Sequence, residues 1–554
     1  MTRELFTDVL IIGGGGAAGR AAIAAADAGA KTTMVLKKTL GASGATAYKC
    51  CEMAGFNVPG CLDNGDSREK YLGDILDAAL GMEEPGLPEI LAENAGGRFE
   101  DLRRWGLQPA MEDGRPVVMK GCYSSIRRTY TIRGHGEPIM KALIGQIRKR
   151  PIEILENSMA VELLVEDGRC CGAVILDGND ELLVIYAKSV ILATGGGAQV
   201  FLNNLNPPDV SGDGYSLAYD SGAELMNMEF MQAGVGFFYP IKSLFNTYLW
   251  EGIPRITNRF GENFLEKYMP EGVSVREVMS MHCKHFPFST RDISKYLEIA
   301  IQKEIEAGGG TERLCVPVSF AHFTEDYINS LVDTVDLKHM WPMVVEHFKE
   351  NGVDILRDPL EITCVAQAVN GGIRIGKNAM SSIKGLFAAG ETAAGPHGAD
   401  RLGGNMMGTC QVFGEIAGRN AAEFAGQNCH VRPRVDVDSL RSVKLLHKKA
   451  EADAMILQLQ RTAQTKLFIC RSEDKLLQML ETAAGILEKL ENSPSVPEVR
   501  RRNLELYFRI NTAAIMAKAA LERRESRGSH YREDYPERDD DKFGSPIILS
   551  RTVN

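Results

Sequence analysis

The 12 cysteines of this 554-residue chain include no C-x-x-C pair, so the usual zinc, iron–sulfur and redox-motif spacings are missing. Two adjacent pairs occur, Cys50-Cys51 and Cys170-Cys171. Scattered cysteines in a chain without a secretion signal read as reduced, buried small hydrophobes, and no metal site is expected from them. No run of about eighteen apolar residues exists, which excludes a membrane-spanning helix. The opening Met1-Thr-Arg-Glu-Leu5 has no signal-type apolar stretch. Basic residues do not predominate. Lys and Arg number 63 against 73 Asp and Glu, a net charge of −10, which argues against a general nucleic-acid or anionic-membrane binder. What remains is globular composition, 44% apolar and 25% charged, in a chain long enough for about three or four domains. A cytoplasmic protein is expected.

The first informative segment is Asp8-Val-Leu-Ile-Ile-Gly-Gly-Gly-Gly-Ala-Ala-Gly19. An apolar strand over Val9–Ile12 runs into a glycine turn and then an alanine-rich helix. Gly14, Gly16 and Gly19 hold the G-x-G-x-x-G spacing. The first permits a tight turn, the second admits a pyrophosphate and the third lets helix and strand pack closely. With Ala17 and Ala18 they open a helix whose free N–H groups suit phosphate oxygens. The spacing alone is a weak signal. A preceding strand, a following helix and a second strand at Thr32–Leu36 supply its context. That second strand should end in Asp or Glu to hold a ribose of NAD, but Lys37-Lys38 follows. FAD is the better fit. Ser189-Val-Ile-Leu-Ala-Thr-Gly-Gly-Gly197 repeats the strand-to-glycine turn, and Gly385-Leu-Phe-Ala-Ala-Gly-Glu391 a third. Glu391 suits a ribose, or simply the start of a helix.

The chain resembles the flavoprotein subunits of succinate dehydrogenases and fumarate reductases, a superfamily that includes L-aspartate oxidases. Four stretches carry the likeness: Ala193-Thr-Gly-Gly-Gly197, Gly212-Asp-Gly-Tyr-Ser-Leu-Ala218, His397-Gly-Ala-Asp-Arg-Leu-Gly-Gly-Asn405 and Glu525-Ser-Arg-Gly-Ser-His-Tyr-Arg-Glu-Asp-Tyr-Pro-Glu-Arg-Asp539. The resemblance implies an α/β fold with a discontinuous FAD domain at 1–235 and 350–432. An α+β capping domain is inserted at 236–349, and a helical domain with a tail follows at 433–554. From Val435 onward the pattern is indeed helical. Ser472 is a good N-cap, Leu476, Leu480, Leu487 and Leu490 follow at helical spacing, and Asn492-Ser-Pro494 stops the run. Leu504, Phe508, Ile515 and Ala519 mark a further helix. The charged tail Arg523–Lys542 reads by composition as a solvated surface; the resemblance implies that it folds back on the FAD domain.

For the site, the resemblance implies FAD held by the Gly14–Gly19 turn, Lys37, Ser43, Gly44, Ala45, Thr46, Ala193, Thr194, Gly195, Asp213, Glu391, Asn405 and Met406. Arg291, in Phe288-Ser-Thr-Arg-Asp-Ile-Ser294, falls on the proton-transferring arginine of the capping domain. Arg401 falls on the arginine that clamps a substrate carboxylate, a task for which a guanidinium fork is suited. His397 precedes that motif as a substrate contact or a structural imidazole. Respiratory members link FAD to a histidine near Ala42–Ala47, whereas the first histidine here is His135; FAD is expected to be non-covalent.

Two departures bear on the substrate. Dicarboxylate-binding members carry His-Pro-Thr-Gly where Met228-Glu-Phe-Met-Gln-Ala-Gly-Val-Gly236 places Gly234, and His-Tyr-Thr-Met-Gly-Gly where Gln367-Ala-Val-Asn-Gly-Gly372 stands. Gln367 can hydrogen-bond but cannot become cationic. Each lost charged hydrogen bond is worth about 1.5–3 kcal/mol. The expected reaction is therefore hydride transfer between flavin and a CH–CH or C=C bond of an organic acid other than simple fumarate. Electrons would come through an iron–sulfur or other redox partner subunit. The alternatives are an L-aspartate-oxidase-like flavin oxidase and a non-catalytic flavin electron-transfer subunit. His282 and His285, just before Arg291, read as packed or surface histidines or as replacement donors.

Overall fold

The computed structural model describes all residues except 1–2, 333–334, 434–435 and 553–554; Met1 and Val435, named above, fall outside it. Strand β1 (Arg3–Ile12) is buried along its second half, and the glycine turn after it opens helix α1 (Gly16–Asp27). The chain returns in β2 (Thr32–Val35), parallel to β1. On the other side β1 pairs parallel with β3 (Leu182–Leu192). The sheet order is Ile152–Leu155, β2, β1, β3, Arg169–Leu176, Met159–Glu166, and Leu386–Ala388 also pairs with the end of β3. The three strand-to-glycine segments therefore lie side by side. All three turns emerge at the C-terminal edge of one parallel set, the edge where open α/β sheets bind ligands.

Helix α2 (Asn405–Gln427) covers α1 at near-backbone contact. A Cβ on Gly414 would stand 2.8 Å from the Ala17 carbonyl oxygen, and one on Gly418 2.2 Å from that of Ala21. The alanine-rich composition of α1 is thus a packing requirement. Close approach of two helices leaves no room for larger side chains.

The insertion is built on a separate five-stranded sheet in the order Ser243–Leu244, Met231–Tyr239, Leu360–Val369, Val316–Ser319, Arg255–Ile256. Its long central pair begins before residue 236 and ends after 349, so the capping segment is rooted in flanking strands that belong to the same sheet. Beyond it, Ala452–Lys466, Glu473–Asn492 and Arg501–Glu522 form helices. Ser472 caps the second, its side chain accepting from Lys475 N. Leu476 and Leu490 are buried and Leu480 and Leu487 half-buried, as the spacing required.

The charged tail is not a solvated surface. Arg523, Glu525, Arg527, His530 and Arg532 are all buried. Arg523 Nε donates to Glu229 Oε1 at 2.6 Å, while Glu525 receives both Arg523 and Arg527. Arg527 reaches the Leu80 carbonyl, and Ser529 Oγ donates to the carbonyl of Ala399 at 3.0 Å. The tail locks onto the segment that precedes Arg401. Among the described residues, no helix is long and apolar enough to cross a membrane.

Candidate active site

A long cavity runs from the glycine turn of β1–α1 to the underside of the capping segment. At one end it is walled by Gly14, Gly16, Ala17, Lys37, Ser43, Gly44, Ala45, Thr46, Ala193, Thr194, Gly195, Asp213 and Glu391. Gly13 (φ 137°) lies so close to the Ala193 carbonyl oxygen that a Cβ would fall 2.1 Å from it. Two residues read from separate motifs meet here: Lys37 Nζ is 2.8 Å from Asp213 Oδ2 and 2.9 Å from Ser211 Oγ. Lysine after the second strand is therefore neutralised in place, and the Gly212–Ala218 motif supplies its counter-charge.

Glu391 sits in a short helical turn over Gly390–Thr392 and is the start of no α-helix. One carboxylate oxygen accepts from Val369 N at 2.9 Å. Burial pushes this carboxyl up to about 7, against the opposing pull of the Val369 N–H and Arg401. Ala18 and Gly19 do not line the cavity. Ala18 is in the core, and Gly19 faces Leu143 and Ile147, so the third glycine serves helix packing only.

Arg401 lines the cavity yet is buried, its Nη2 donating to Gln232 Oε1 at 2.7 Å and its Nε without a partner. Burial lowers its pKa, and nearby Glu391 opposes that. A buried guanidinium that lines a cavity with an N–H lacking a partner suits an anion. Gln367 shares the wall, its side-chain oxygen buried and unpartnered. Gly403, Gly404 and Met406 also line this region.

Three expected residues are placed differently. Asn405 lies behind the wall, its Oδ1 accepting from Asn57 Nδ2 and from the Tyr71 hydroxyl, both at 2.6 Å. It begins α2 and braces the Gly403–Gly404 turn without reaching the cavity. His397 is buried on Thr409 Oγ1 at 3.1 Å, and burial together with Arg401 holds it well below its ordinary pKa. It is a neutral structural imidazole. Arg291 does not line the cavity either. Its Nε donates to buried Asp400 at 3.1 Å, its Nη1 to exposed Asp77 at 2.9 Å and its Nη2 to the Asp77 carbonyl, and it stacks on Tyr123. The two guanidinium groups are not brought to one cavity in this conformation. Instead Arg291 ties its own segment to Asp77 and Asp400.

His282 and His285 are likewise packed: His282 bonds Glu298 at 2.6 Å, and His285 bonds Asp292 at 3.1 Å while stacking on Tyr123. Gln232, Phe286, Tyr248, Lys120 and the trio Cys50, Cys51 and His135 also line the cavity, although no motif marks them for it. Tyr248 donates to Glu52, which also accepts from Asn246. Cys50 Sγ is 3.6 Å from His135 Nε2. A hydrogen bond from Cys51, reinforced by His135, holds the Cys50 thiol well below its usual range, against burial.

Comparison with known proteins gives this site its family. Residues 8–407 match the FAD binding domain family, and residues 456–552 match the fumarate reductase flavoprotein C-terminal family. An uncharacterised FAD-dependent oxidoreductase of Methanocaldococcus jannaschii is 34% identical over 99% of this chain and 97% of its own. The chain belongs to the fumarate reductase flavoprotein family. One of the subunits of the fumarate reductase (CoM/CoB) of Methanothermobacter marburgensis is 32% identical over 97% of this chain and 96% of its own. The FrdA chain of E. coli quinol fumarate reductase superposes with a TM-score of 0.82 at 25% identity, covering 100% of this chain and 95% of that one.

The cavity suits this family's cofactor, FAD. The glycine cradle leaves backbone exposed where a side chain would clash, and two residues of the wall, Gln367 and Arg401, each carry a polar atom without a partner. The absent histidines have a physical counterpart. A Cβ on Gly234 would stand 2.7 Å from the ring of Phe286 and 2.9 Å from its carbonyl oxygen. Phe286 lines the cavity. An aromatic ring fills the space that a side chain at 234 would need.

Proposed function

We propose that this flavoprotein transfers hydride between FAD and a CH–CH or C=C bond of an organic acid other than simple fumarate. One observation supports the reading above the rest: Arg401 is buried, lines the cavity and leaves its Nε without a partner. It would hold one carboxylate of the acid. Gln367 and Gln232 offer neutral polar contacts, and Phe286, Tyr248 and Leu244 give the rest of the wall a largely apolar face. The rings of Phe286 and Tyr248 and the neutral amides of Gln232 and Gln367 suit a larger or less charged acid better than a small dicarboxylate. FAD supplies the hydride through its N5. It is held without a covalent bond, since no histidine lies in the Ala42–Ala47 segment.

The proton for the second carbon is assigned to Arg291, on a condition that the geometry sets. Its guanidinium must leave Asp77 and Asp400 and turn inward, past the wall residues Phe286 and Pro287 of its own segment. Asp77 is exposed, so that half of the latch is weak in water. Proton delivery is then tied to movement of the capping segment. Electrons reach FAD from a redox partner subunit, iron–sulfur or other.

The test is to photoreduce the purified yellow protein and screen unsaturated acids for reoxidation of its flavin absorbance. Reoxidation by a monocarboxylate or bulky acid, with fumarate inert, is expected. Fumarate as the best oxidant would overturn the substrate reading, and rapid oxygen consumption during turnover would favour the oxidase. Arg291→Gln with normal FAD content and unchanged turnover would remove the proton-transfer role.

A further inference from the structure

The cysteine pair at 50–51 and His135 are far apart in sequence, and a hairpin register brings them together. Strand Met53–Asn57 runs antiparallel to Thr129–Arg133, with Met53 opposite Arg133. Two residues before Met53 therefore meet two residues after Arg133, which are Cys51 and His135. His135 itself is held at φ 59°, a conformation uncommon for a non-glycine residue. Gly136 follows with so little room that a Cβ would stand 2.0 Å from the Thr46 carbonyl oxygen. On the other strand the Cys50 carbonyl accepts from Leu244 N at 3.1 Å, which fixes the loop against the capping segment.

We infer that Cys50, Cys51 and His135 form a binding site for a zinc-type divalent ion with one coordination position open to the cavity. The two sulfurs and the imidazole nitrogen all lie within 4.8 Å of one another. A tetrahedral ion with bonds of about 2.3 Å to sulfur and about 2.0 Å to nitrogen has an S···N edge of about 3.5 Å and an S···S edge of about 3.8 Å. The observed Cys50 Sγ to His135 Nε2 distance is 3.6 Å. That edge already fits the ion and the other two need close only from within 4.8 Å, whereas a disulfide would need the sulfurs to close to about 2.05 Å.

Loading the site removes both thiol protons and takes the Cys51 thiol from the Met53 carbonyl, to which it now donates at 2.9 Å. Two thiolates balance the ion's charge. All three ligands line the cavity, so the fourth position faces it and takes a water or an anionic oxygen. Three protein ligands with an open place is the arrangement of reactive zinc sites; structural ones close all four. Binding at this site stands apart from the substrate reading above, because it depends on these three side chains alone.

The decisive measurement is metal content of the FAD-loaded protein, purified without oxygen and incubated with zinc, then desalted. About one zinc per chain is expected. Cobalt in its place should give tetrahedral d–d bands at wavelengths beyond the flavin absorbance, and zinc should displace them. Cys50→Ser, Cys51→Ser and His135→Ala should each lower bound metal at least about tenfold, while Cys429→Ser, an exposed site, should not. If a variant loses FAD or fails to fold, the wild-type cobalt spectrum and its competition by zinc decide. Metal at background level with both thiols free to titrate would overturn the assignment. So would a Cys50–Cys51 disulfide found by mass in protein handled under reducing conditions, which would make the pair a redox couple.

Discussion

Arg401→Gln is the substitution that most directly tests what the cavity binds. In the structure the guanidinium gives one nitrogen to Gln232 and leaves its Nε without a partner, on a residue that lines the cavity. A carboxylate held there would accept two charge-assisted hydrogen bonds, each worth about 1.5–3 kcal/mol. Losing both removes about 3–6 kcal/mol, and at about 1.4 kcal/mol per decade that is roughly 10²–10⁴ in kcat/KM. The assay is reoxidation of the photoreduced flavin by whichever unsaturated acid the screen identifies. FAD content must be measured first, because Arg401 also opposes the upward shift of Glu391. Arg401→Lys keeps the charge but loses the planar fork, so it should fall between the two. An Arg401→Gln protein that binds FAD and retains kcat/KM within about threefold of the parent would refute the clamp.

Three further outcomes rest on named contacts. Gly234→His should fail to create fumarate reduction and should lower thermal stability, because the ring and the carbonyl of Phe286 occupy the space; adding Phe286→Ala removes the ring alone and should recover only part of that stability. In the FAD-free protein Glu391 should make stability fall as pH rises from about 4.5 to about 7. Its folded value is near 7 while the unfolded chain titrates near 4.5, so the folded state alone holds the proton between them, at a cost above that window of up to roughly 3 kcal/mol. Glu391→Gln should flatten the melting-temperature profile across that range. Arg523→Ala should destabilise the chain by about 3–5 kcal/mol in denaturant titration, since it leaves Glu229 and Glu525 buried without their shared cation.

The backbone of the nucleotide end was legible because its motifs are local. A strand, a glycine turn and a small-residue helix are written within about thirty residues, and the packing of α1 on α2 follows from glycine and alanine alone. The Ser472 cap and the leucine spacing behind it were legible for the same reason. The tail was not legible from composition. Arg523, Glu525, Arg527 and Arg532 have the chemistry of a solvated surface, and only their pairing with one another and with Glu229 makes burial tolerable. In that case the motif resemblance was the better guide.

Side-chain direction was the least legible property, and Arg291 and His397 show why. Both stand in segments that border the cavity, so motif position fixes their neighbourhood. Which way each turns depends on partners elsewhere: Asp400 and Asp77 draw Arg291 outward, and Thr409 holds His397 in the core. Asp400 is buried and adjacent to Arg401 in the chain, so one dipeptide governs both cations, pulling one away from the cavity while presenting the other to it. That coupling gives the Asp400 carboxylate a testable consequence. Asp400→Asn keeps the size and one hydrogen-bond acceptor but removes the charge that holds Arg291. If Arg291 delivers the proton after turning inward, Asp400→Asn should raise turnover at saturating acid or leave KM unchanged while shifting the pH profile. If Arg291 is only a latch, the same substitution should loosen the capping segment, increase its protease sensitivity and leave the chemical step untouched.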